Sequence, residues 1–350
     1  ALSSGKFGYG TYCSLSLPVP IIPTRINICF PHLSGHEGSS KFAADNRWAN
    51  FWSATAGWRI SNEEFHERLL TWLDDLKIRF GYGVTGNNDF DASYMANTLS
   101  RDQYWMLPSG SWAFVYGPSS NVNPYLGWEE KKEWNIGVDY SFFGNRMYGK
   151  FDYYRRKIDG MIYEVNVPQP PYPNGKQWQN IGEMESKGWE FEVGGDIIQN
   201  KDFTWTSSLN MSHNSGKILT MYGNNSRMDG NAMDEPGWPG DASRIEEGAE
   251  IGAFHMWKFA GFDDKGDFLL YNKDGEVIPA SQKSVDDKQY IGNYLPKVMM
   301  GWNNTFTYKN FDLGINMRSW IGFDVLNTYP MYLVVQGQMV RPVESLETGA

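Results

Sequence analysis

The chain has 350 residues, a formal net charge of −10 and an aromatic content of 16%, with 37 glycines. It shows no face rich in Lys and Arg, which argues against nucleic acid as a partner. No run approaches the roughly 18 to 20 apolar residues of a membrane-spanning helix, but a membrane-spanning strand needs only about 9 to 11 residues, half of them apolar.

The first notable segment is residues 13–35, "CSLSLPVPIIPTRINICFPHLSG", which contains both cysteines and four prolines. Proline has no backbone N–H to donate to a sheet, so this composition is atypical of a strand. Cys13 and Cys29 form no CxxC motif, and they predict neither a disulfide framework nor a zinc site.

The following segments alternate large apolar residues with polar or small ones, which predicts strands with one apolar and one polar face. They are residues 51–60, 76–84, the hairpin 131–157 around "FGNR", 188–197, 203–212, 298–308 and 311–321. Between the first two, residues 61–76 carry a Ser61–Glu64 capping-box spacing, which predicts a short turn or helix.

The apolar face of these strands is predicted to contact lipid. Its predicted members are Trp134, Ile136, Val138, Tyr140, Phe151, Trp189, Phe191, Phe203, Trp205, Leu313 and Ile315. The residues between them are polar or small, so the opposite face is expected to meet a wet or plugged lumen.

Two kinds of connection alternate along the chain. Tight turns, such as "FGNR", "IQNKD" and "YKN", alternate with long connections at about residues 85–125, 164–180 and 220–250. Outer-membrane barrels combine short turns on one side with long extracellular loops on the other. The pattern therefore predicts an all-β, antiparallel transmembrane β-barrel with three long extracellular loops. A soluble β-sandwich or propeller is the alternative.

No catalytic motif accompanies the strands. Neither a nucleophile elbow nor a P-loop nor a dinucleotide fingerprint is present, and the chain is predicted not to be an enzyme. The segment "YNKDGEV" resembles a degraded calcium loop in which Asn272 and Asp274 are candidate ligands. Because Leu270 occupies the first ligand position, a hairpin turn on Asp274–Gly275 is the favoured alternative. No cofactor is predicted apart from calcium at this loop.

The long connections are rich in aromatic residues. Exposed rings stack on sugar faces or anchor protein interfaces, so these residues are candidates for contact with a ligand or partner. Self-packing of the loops and interfacial aromatic girdles are the alternatives. The candidates are Tyr104, Trp105, Trp112, Phe114 and Tyr116 in the first connection, and Trp178 and Trp238 in the other two.

Several phrases resemble the SusC/RagA family of TonB-dependent outer-membrane transporters of Bacteroidota. They are "HEGSSKFAADNRW", "TAGWRIS", "WLDDLKIRFGYGVTGN", "NPYLGWEEKKEWNIGVDYSFFGNRMYGKFDYYRRK", "NIGEMESKGWEFEV" and "IGNYLPKVMMGWNNTFTYKNFDLGI", in the order that the family has them. The resemblance covers about residues 36–327.

The resemblance implies that residues 1–350 are part of a 22-stranded barrel, without the plug and the last strands. It further implies an importer of oligosaccharides or peptides in the outer membrane of a Gram-negative, Bacteroidota-like cell. A SusD-like lipoprotein would cap its outer face, and TonB with ExbB and ExbD would act through the plug. A TonB-dependent receptor for a siderophore or cobalamin is the alternative within the membrane class, and a soluble or surface-exposed β-rich binding protein is the alternative outside it.

The resemblance also bears on residues 13–35, which lie where the family has a barrel strand. A back-translation of residues 25–35 shifted by one base permits Asp-Lys-Tyr-Leu-Leu-Ser-Ala-Ser-Val-Arg, a plausible family strand. We therefore hypothesise that this segment is an out-of-frame read. A divergent loop is the alternative, and resequencing the DNA distinguishes the two.

Overall fold

The computed structural model describes residues 13–14, 28–29, 32–63, 72–90, 99–118, 120–222, 227–229 and 242–327. Its regular structure consists of β-strands with a few single turns of 3-10 helix. The described residues contain no helix that is both long and apolar enough to cross a membrane.

The strands in chain order are β1 (Cys13–Ser14), β2 (Ile28–Cys29), β3 (His32–Gly38), β4 (Trp48–Arg59), β5 (Leu73–Asn87), β6 (Leu99–Met106), β7 (Trp112–Pro118), β8 (Glu129–Phe142), β9 (Met147–Asp159), β10 (Ile162–Asn166), β11 (Lys176–Asn180), β12 (Gly182–Gln199), β13 (Phe203–Met221), β14 (Arg227–Asp229), β15 (Arg244–Glu246), β16 (Ala253–Met256), β17 (Lys258–Phe262), β18 (Phe268–Tyr271), β19 (Val277–Pro279), β20 (Gln289–Asn293), β21 (Val298–Tyr308) and β22 (Phe311–Ile321). The 3-10 turns are Ala44–Asn46, Ile60–Asn62, Ala280–Gln282 and Val285–Asp287.

One large antiparallel sheet dominates the structure. Its strands follow the order β1-β3-β4-β5-β8-β9-β12-β13-β21-β22, with β2 also paired to β4. Strands that follow one another through this sheet are joined by simple up-and-down connections, and the remaining strands form small separate sheets within the long connections. The prediction of an all-β, antiparallel architecture is therefore confirmed.

The pairing register extends one apolar face across the whole sheet. Val138 on β8 pairs with Phe151 on β9, and Phe151 pairs with Phe191 on β12. Opposed residues in an antiparallel pair share a face, and successive residues alternate between faces. Following the register through β13, β21 and β22 places all eleven predicted lipid-facing residues on this same face. Their contact with lipid stays a prediction.

Asn304 and Ser207 are polar residues on this apolar face, and each accepts a hydrogen bond from a tryptophan ring. The indole Nε1 of Trp205 donates to Asn304 Oδ1 at 3.1 Å, and that of Trp302 donates to Ser207 Oγ at 2.9 Å. Asn304 is only 4% exposed. The amide and hydroxyl groups are thus hydrogen-bonded where an unsatisfied polar group would be costly.

The tight turn between β8 and β9 requires residues with positive φ. Phe143, Gly144 and Asn145 all have positive φ, at 59°, 69° and 60°. Glycine reaches this left-handed region without strain and asparagine tolerates it, so "GN" suits the turn. The predicted turn "FGNR" thus occupies residues 143–146.

Three of the strands are longer than the sequence pattern predicts, whereas β21 and β22 have the predicted bounds, 298–308 and 311–321. The segment expected at 76–84 runs from Leu73 to Asn87, 188–197 becomes Gly182–Gln199, and 203–212 becomes Phe203–Met221. Strands of 15 to 19 residues exceed the roughly 9 to 11 that cross a bilayer. The alternation of apolar residues therefore predicts the apolar band, while the strands continue beyond it with polar residues.

The segment 61–76, predicted as a short turn or helix, begins with a 3-10 turn and ends within a strand. Ile60–Asn62 form a single 3-10 turn, and β5 already begins at Leu73. Leu73 pairs with Phe142 of β8, so sheet pairing overrides the local helical signal there. Residues 64–71 lie outside the described residues.

The three long connections contain strands of their own. The first contains the β6–β7 hairpin and lies between Asn87 and Glu129, and the second contains the β10–β11 hairpin. The third extends from Tyr222 to Lys297, well beyond the predicted bound at residue 250, because β21 begins only at Val298. Most of residues 13–35 lie outside the described residues.

Candidate functional site at the long-connection end of the sheet

A small hydrophobic core organises the connections at this end. Phe42, Phe90 and Leu126 are 2%, 5% and 0% exposed, and they come from three separate segments. The ring of Phe42 lies 5.0 Å from that of Trp128 in a tilted arrangement, and the ring of Phe90 lies 6.0 Å from that of Trp178. This cluster, named here the loop core, ties the β3–β4 turn and the first two long connections into one unit.

Amide side chains reinforce the loop core. Asn121 Nδ2 donates to the carbonyl of Lys176 at 2.8 Å, and Asn123 Nδ2 donates to that of Trp178 at 2.9 Å. Asn180 accepts from the backbone N–H of Gly127 at 2.9 Å and donates to the carbonyl of Gly160 at 2.7 Å. Side chains of residues 121–123 thus fix the segment before β8 to the backbone of the β10–β11 hairpin.

The β6–β7 hairpin presents an exposed aromatic face. Tyr104 pairs with Phe114 and Met106 pairs with Trp112, so these side chains share one face, which Tyr116 extends. The rings of Tyr104 and Phe114 lie 4.6 Å apart, and the Arg101 guanidinium covers Phe114 at 4.0 Å. Trp112 and Tyr116 remain 67% and 65% exposed.

The structure distributes the seven predicted ligand-contacting residues unequally. Tyr104, Trp112, Phe114 and Tyr116 come together on the hairpin face, while Trp105, 66% exposed, lies on the opposite face. Trp178 is half-buried against the loop core, which favours the self-packing alternative for this residue. Trp238 lies outside the described residues.

A second exposed aromatic cluster was not identified from the sequence. Phe259, Phe262 and Phe268, which are 51%, 59% and 58% exposed, contact one another on the β17–β18–β19 sheet. Tight turns at 263–266 and 272–275 connect the three strands of this sheet. Their Asp, Asn and Gly residues are the sequence signal from which the two hairpins could have been predicted.

The candidate calcium loop forms one of these turns. Asn272 Oδ1 accepts the backbone N–H of Asp274 at 3.0 Å and that of Glu276 at 2.8 Å, and Gly275 has a φ of 83°. These bonds are those of the hairpin turn that was the alternative. In the described part of the chain, no group of three or more His, Cys, Asp or Glu residues is arranged to hold a metal. Calcium at Asn272 and Asp274 stays a prediction.

Toward the long-connection end of the strands, the face that carries the apolar residues becomes charged. Lys157 Nζ lies 2.9 Å from Glu183 and 3.0 Å from Asp159, and Lys132 also contacts Asp159. The hydrogen bond from Lys157 lowers the pKa of Glu183. Burial opposes ionisation of Asp159, but hydrogen bonds from Lys132 and Lys157 outweigh it and lower the pKa of that carboxyl as well. This ion-pair ladder lies at the end where the long connections emerge.

Comparison with known proteins identifies the family. Residues 33–320 match the model described as "TonB dependent receptor-like, beta-barrel". The chain belongs to this family of β-barrel transporters and receptors, whose members are outer-membrane proteins. The fold is thus that of a TonB-dependent barrel, and the β-sandwich and propeller alternatives do not hold.

Two curated relatives, both TonB-dependent receptors, are similar to most of the chain. The chain is 30% identical over 307 residues to the TonB-dependent receptor SusC of Bacteroides thetaiotaomicron, covering 85% of the chain and 29% of the relative. It is also 30% identical over 326 residues to the TonB-dependent receptor P3 of Formosa agariphila, covering 85% of the chain and 30% of the relative.

A solved structure gives the same result. The chain superimposes on the RagAB peptide transporter with a TM-score of 0.72 and 25% identity, covering 84% of the chain and 32% of that chain. These similarities confirm the expected SusC/RagA-like TonB-dependent transporter. The chain spans about a third of the length of the relatives that it matches.

Proposed function

We propose that the chain forms part of the wall and outer loops of an importer in the outer membrane of a Bacteroidota-like cell. The importer takes up oligosaccharides or peptides together with a SusD-like lipoprotein, and TonB with ExbB and ExbD drives it through a plug. Family membership supports the transporter class. The similarity to the RagAB peptide transporter supports the peptide class of cargo. The resemblance to the SusC/RagA family supports the lipoprotein partner and the oligosaccharide class.

The aromatic face of the β6–β7 hairpin is the observation that carries this proposal for the present chain. Large rings exposed together on one face suit a contact that excludes water, because stacking and apolar burial both favour a bound surface. The hairpin lies in the first long connection, and long connections of such barrels are extracellular. The face is therefore proposed to contact cargo or the lipoprotein lid.

Replacement of the exposed rings tests the proposal. In the full-length protein, Trp105→Ala, Trp112→Ala and Tyr116→Ala combined should weaken cargo-dependent growth or lid association, because both hairpin faces lose their largest contact surfaces. Tyr125→Ala is a matched control, since Tyr125 lies on the same connection outside the hairpin and is 86% exposed.

Barrel assembly, measured by heat-modifiable migration in detergent, should be unchanged in both variants. Wild-type uptake together with wild-type lid association in the triple variant would show that the cluster has no role in contact.

A further inference from the structure

The polar face of the large sheet has two chemically different halves. The first half, on β5, β8, β9 and β12, is charged along its middle. Arg79 Nε lies 2.8 Å from Asp139, and its Nη2 lies 3.1 Å from Asp152. Lys150 Nζ lies 3.0 Å from Glu192. We name this half the charged strip.

The second half, on β13 and β21, carries neutral groups. Thr206 on β13 pairs with Thr305 on β21, and Ser208 pairs with Asn303, whose Nδ2 donates to Ser208 Oγ at 3.4 Å. The neutral strip, as we name it, consists of Thr204, Thr206, Ser208, Asn210, Ser212, Asn214, Asn303, Thr305 and Thr307. Charged residues flank it on both sides, because Glu192 of β12 pairs with Asn210 and Arg318 of β22 pairs with Gly301. At the short-turn end, Thr206 donates to Asp196 and Thr307 to Asp312.

The two strips are adjacent in the sheet, and they lie at the same position along the strands. Asp139 pairs with Lys150, Lys150 with Glu192, and Glu192 with Asn210. A single register row thus passes from an ion-paired carboxylate to a neutral amide within four strands. The difference between the strips is therefore one of position around the wall and not of depth.

The charged strip suits a fixed protein partner. Its middle holds three cations, Lys77, Arg79 and Lys150, and four carboxylates, Asp139, Asp152, Glu190 and Glu192. The excess of one negative charge complements a basic protein surface, and charge-assisted hydrogen bonds, which are stronger than neutral ones, favour lasting attachment.

The neutral strip suits a moving solute. Hydroxyl and amide groups form neutral hydrogen bonds of small net free energy, so a solute can exchange them with water or with the next group. A passage must bind its solute strongly enough to admit it and weakly enough to release it. Closely spaced neutral donors and acceptors along β13 and β21 meet both conditions.

We propose that the neutral strip is the wall along which a neutral, hydrogen-bonding cargo passes, and that the charged strip anchors the basic surface of the protein segment that fills the lumen. This inference rests on the proposed import function, and it adds to that function the side of the wall on which the passage opens.

Cysteine labelling from outside the cell tests the inference. In a cysteine-free background of the full-length protein, Asn210→Cys and Asn303→Cys report on the neutral strip. Asp139→Cys and Asp152→Cys report on the charged strip, with Asn210 and Asp139 in the same register row. The probe is a neutral polyethylene-glycol maleimide too large for general porins, applied to cells with and without TonB. Heat-modifiable migration confirms that each variant is folded.

Labelling at the neutral strip is expected to be several-fold faster than at the charged strip in cells with TonB. Equal rates, including no labelling at either strip, or faster labelling at the charged strip would overturn the inference.

The two proposals fail in distinguishable ways. Loss of TonB is expected to slow labelling at Asn210→Cys and to abolish cargo uptake by the unmodified protein. If uptake and labelling are both independent of TonB, the proposal that TonB drives import is wrong. The ratio of labelling rates between the two strips still decides on which strip the passage lies.

Discussion

Val138 and Asp139 are consecutive residues that face opposite sides of the wall. Val138 shares the apolar face with Phe151, whereas Asp139 is ion-paired with Arg79 on the polar face. An arginine on a lipid-facing midplane position of a barrel costs roughly 2 to 4 kcal/mol. Val138→Arg should therefore destabilise the full-length protein by about this amount in denaturant unfolding from lipid bilayers.

Asp139→Ala serves as the neighbouring comparison. It should cost much less, because Arg79 keeps Asp152 as a partner 3.1 Å away. Equal losses of stability at the two positions would argue against lipid on the apolar face.

Leu126 is the residue on which the loop core depends most. Its side chain is fully buried, and truncation of a buried leucine to alanine typically costs about 2 to 5 kcal/mol. Leu126→Ala should therefore accelerate amide hydrogen exchange in residues 120–128 and 176–180, while exchange in the β8–β9 hairpin stays unchanged.

The matched control is Leu107→Ala on the same connection, where the side chain is 42% exposed. It should leave exchange in both segments at the wild-type rate. If Leu126→Ala also leaves exchange at the wild-type rate, the loop core does not hold these connections together.

At the scale of the strands, β13 and β21 are joined by polar contacts within the apolar face. Trp205→Phe removes the indole donor from Asn304 and should cost about 1 to 3 kcal/mol, the usual penalty for leaving a buried polar group without its partner. Asn304→Leu together with Trp205→Phe should cost less than the sum of the single changes, because neither partner is then left unsatisfied.

A double-mutant cycle on unfolding free energies measures this coupling. A coupling of zero would show that the indole hydrogen bond contributes nothing to the pairing of the two strands.

At the scale of the whole molecule, pH should act on the long-connection end through the ion-pair ladder. The pKa values of Asp159 and Glu183 are lowered in the folded protein, so it binds fewer protons than the unfolded chain as pH falls. The stabilising contribution is present above the ordinary carboxyl pKa of about 4 and is lost as pH falls through the lowered values. The pKa of Lys157 is raised, so its contribution is present below its ordinary pKa of about 10 and is lost at higher pH.

Limited proteolysis of the long connections in the full-length protein should consequently be slow at neutral pH and faster in acid. Lys157→Gln should reduce this dependence, since Lys157 contacts both carboxylates. An acid response of the same size in Lys157→Gln would assign it to other groups. Proteases active in both pH ranges are needed for the comparison.

The sequence by itself determined the faces of the wall. Side-chain direction in a strand alternates with each residue, so the local pattern was sufficient to assign Trp134, Val138 and Leu313 to the same apolar face. Turn chemistry, which is equally local, indicated the tight connections such as residues 143–146.

Only the tertiary structure decided how far the strands continue and what the long connections form. The polar ends of β12 and β13 are held by pairing with each other, which no apolar alternation signals. The loop core brings together Phe42, Phe90 and Leu126 from distant segments, and it draws in Trp178, which the sequence had suggested for ligand contact. Such contacts depend on which strands are neighbours and in which register, and that information lies in the pairing of the whole sheet rather than in any local stretch of the chain.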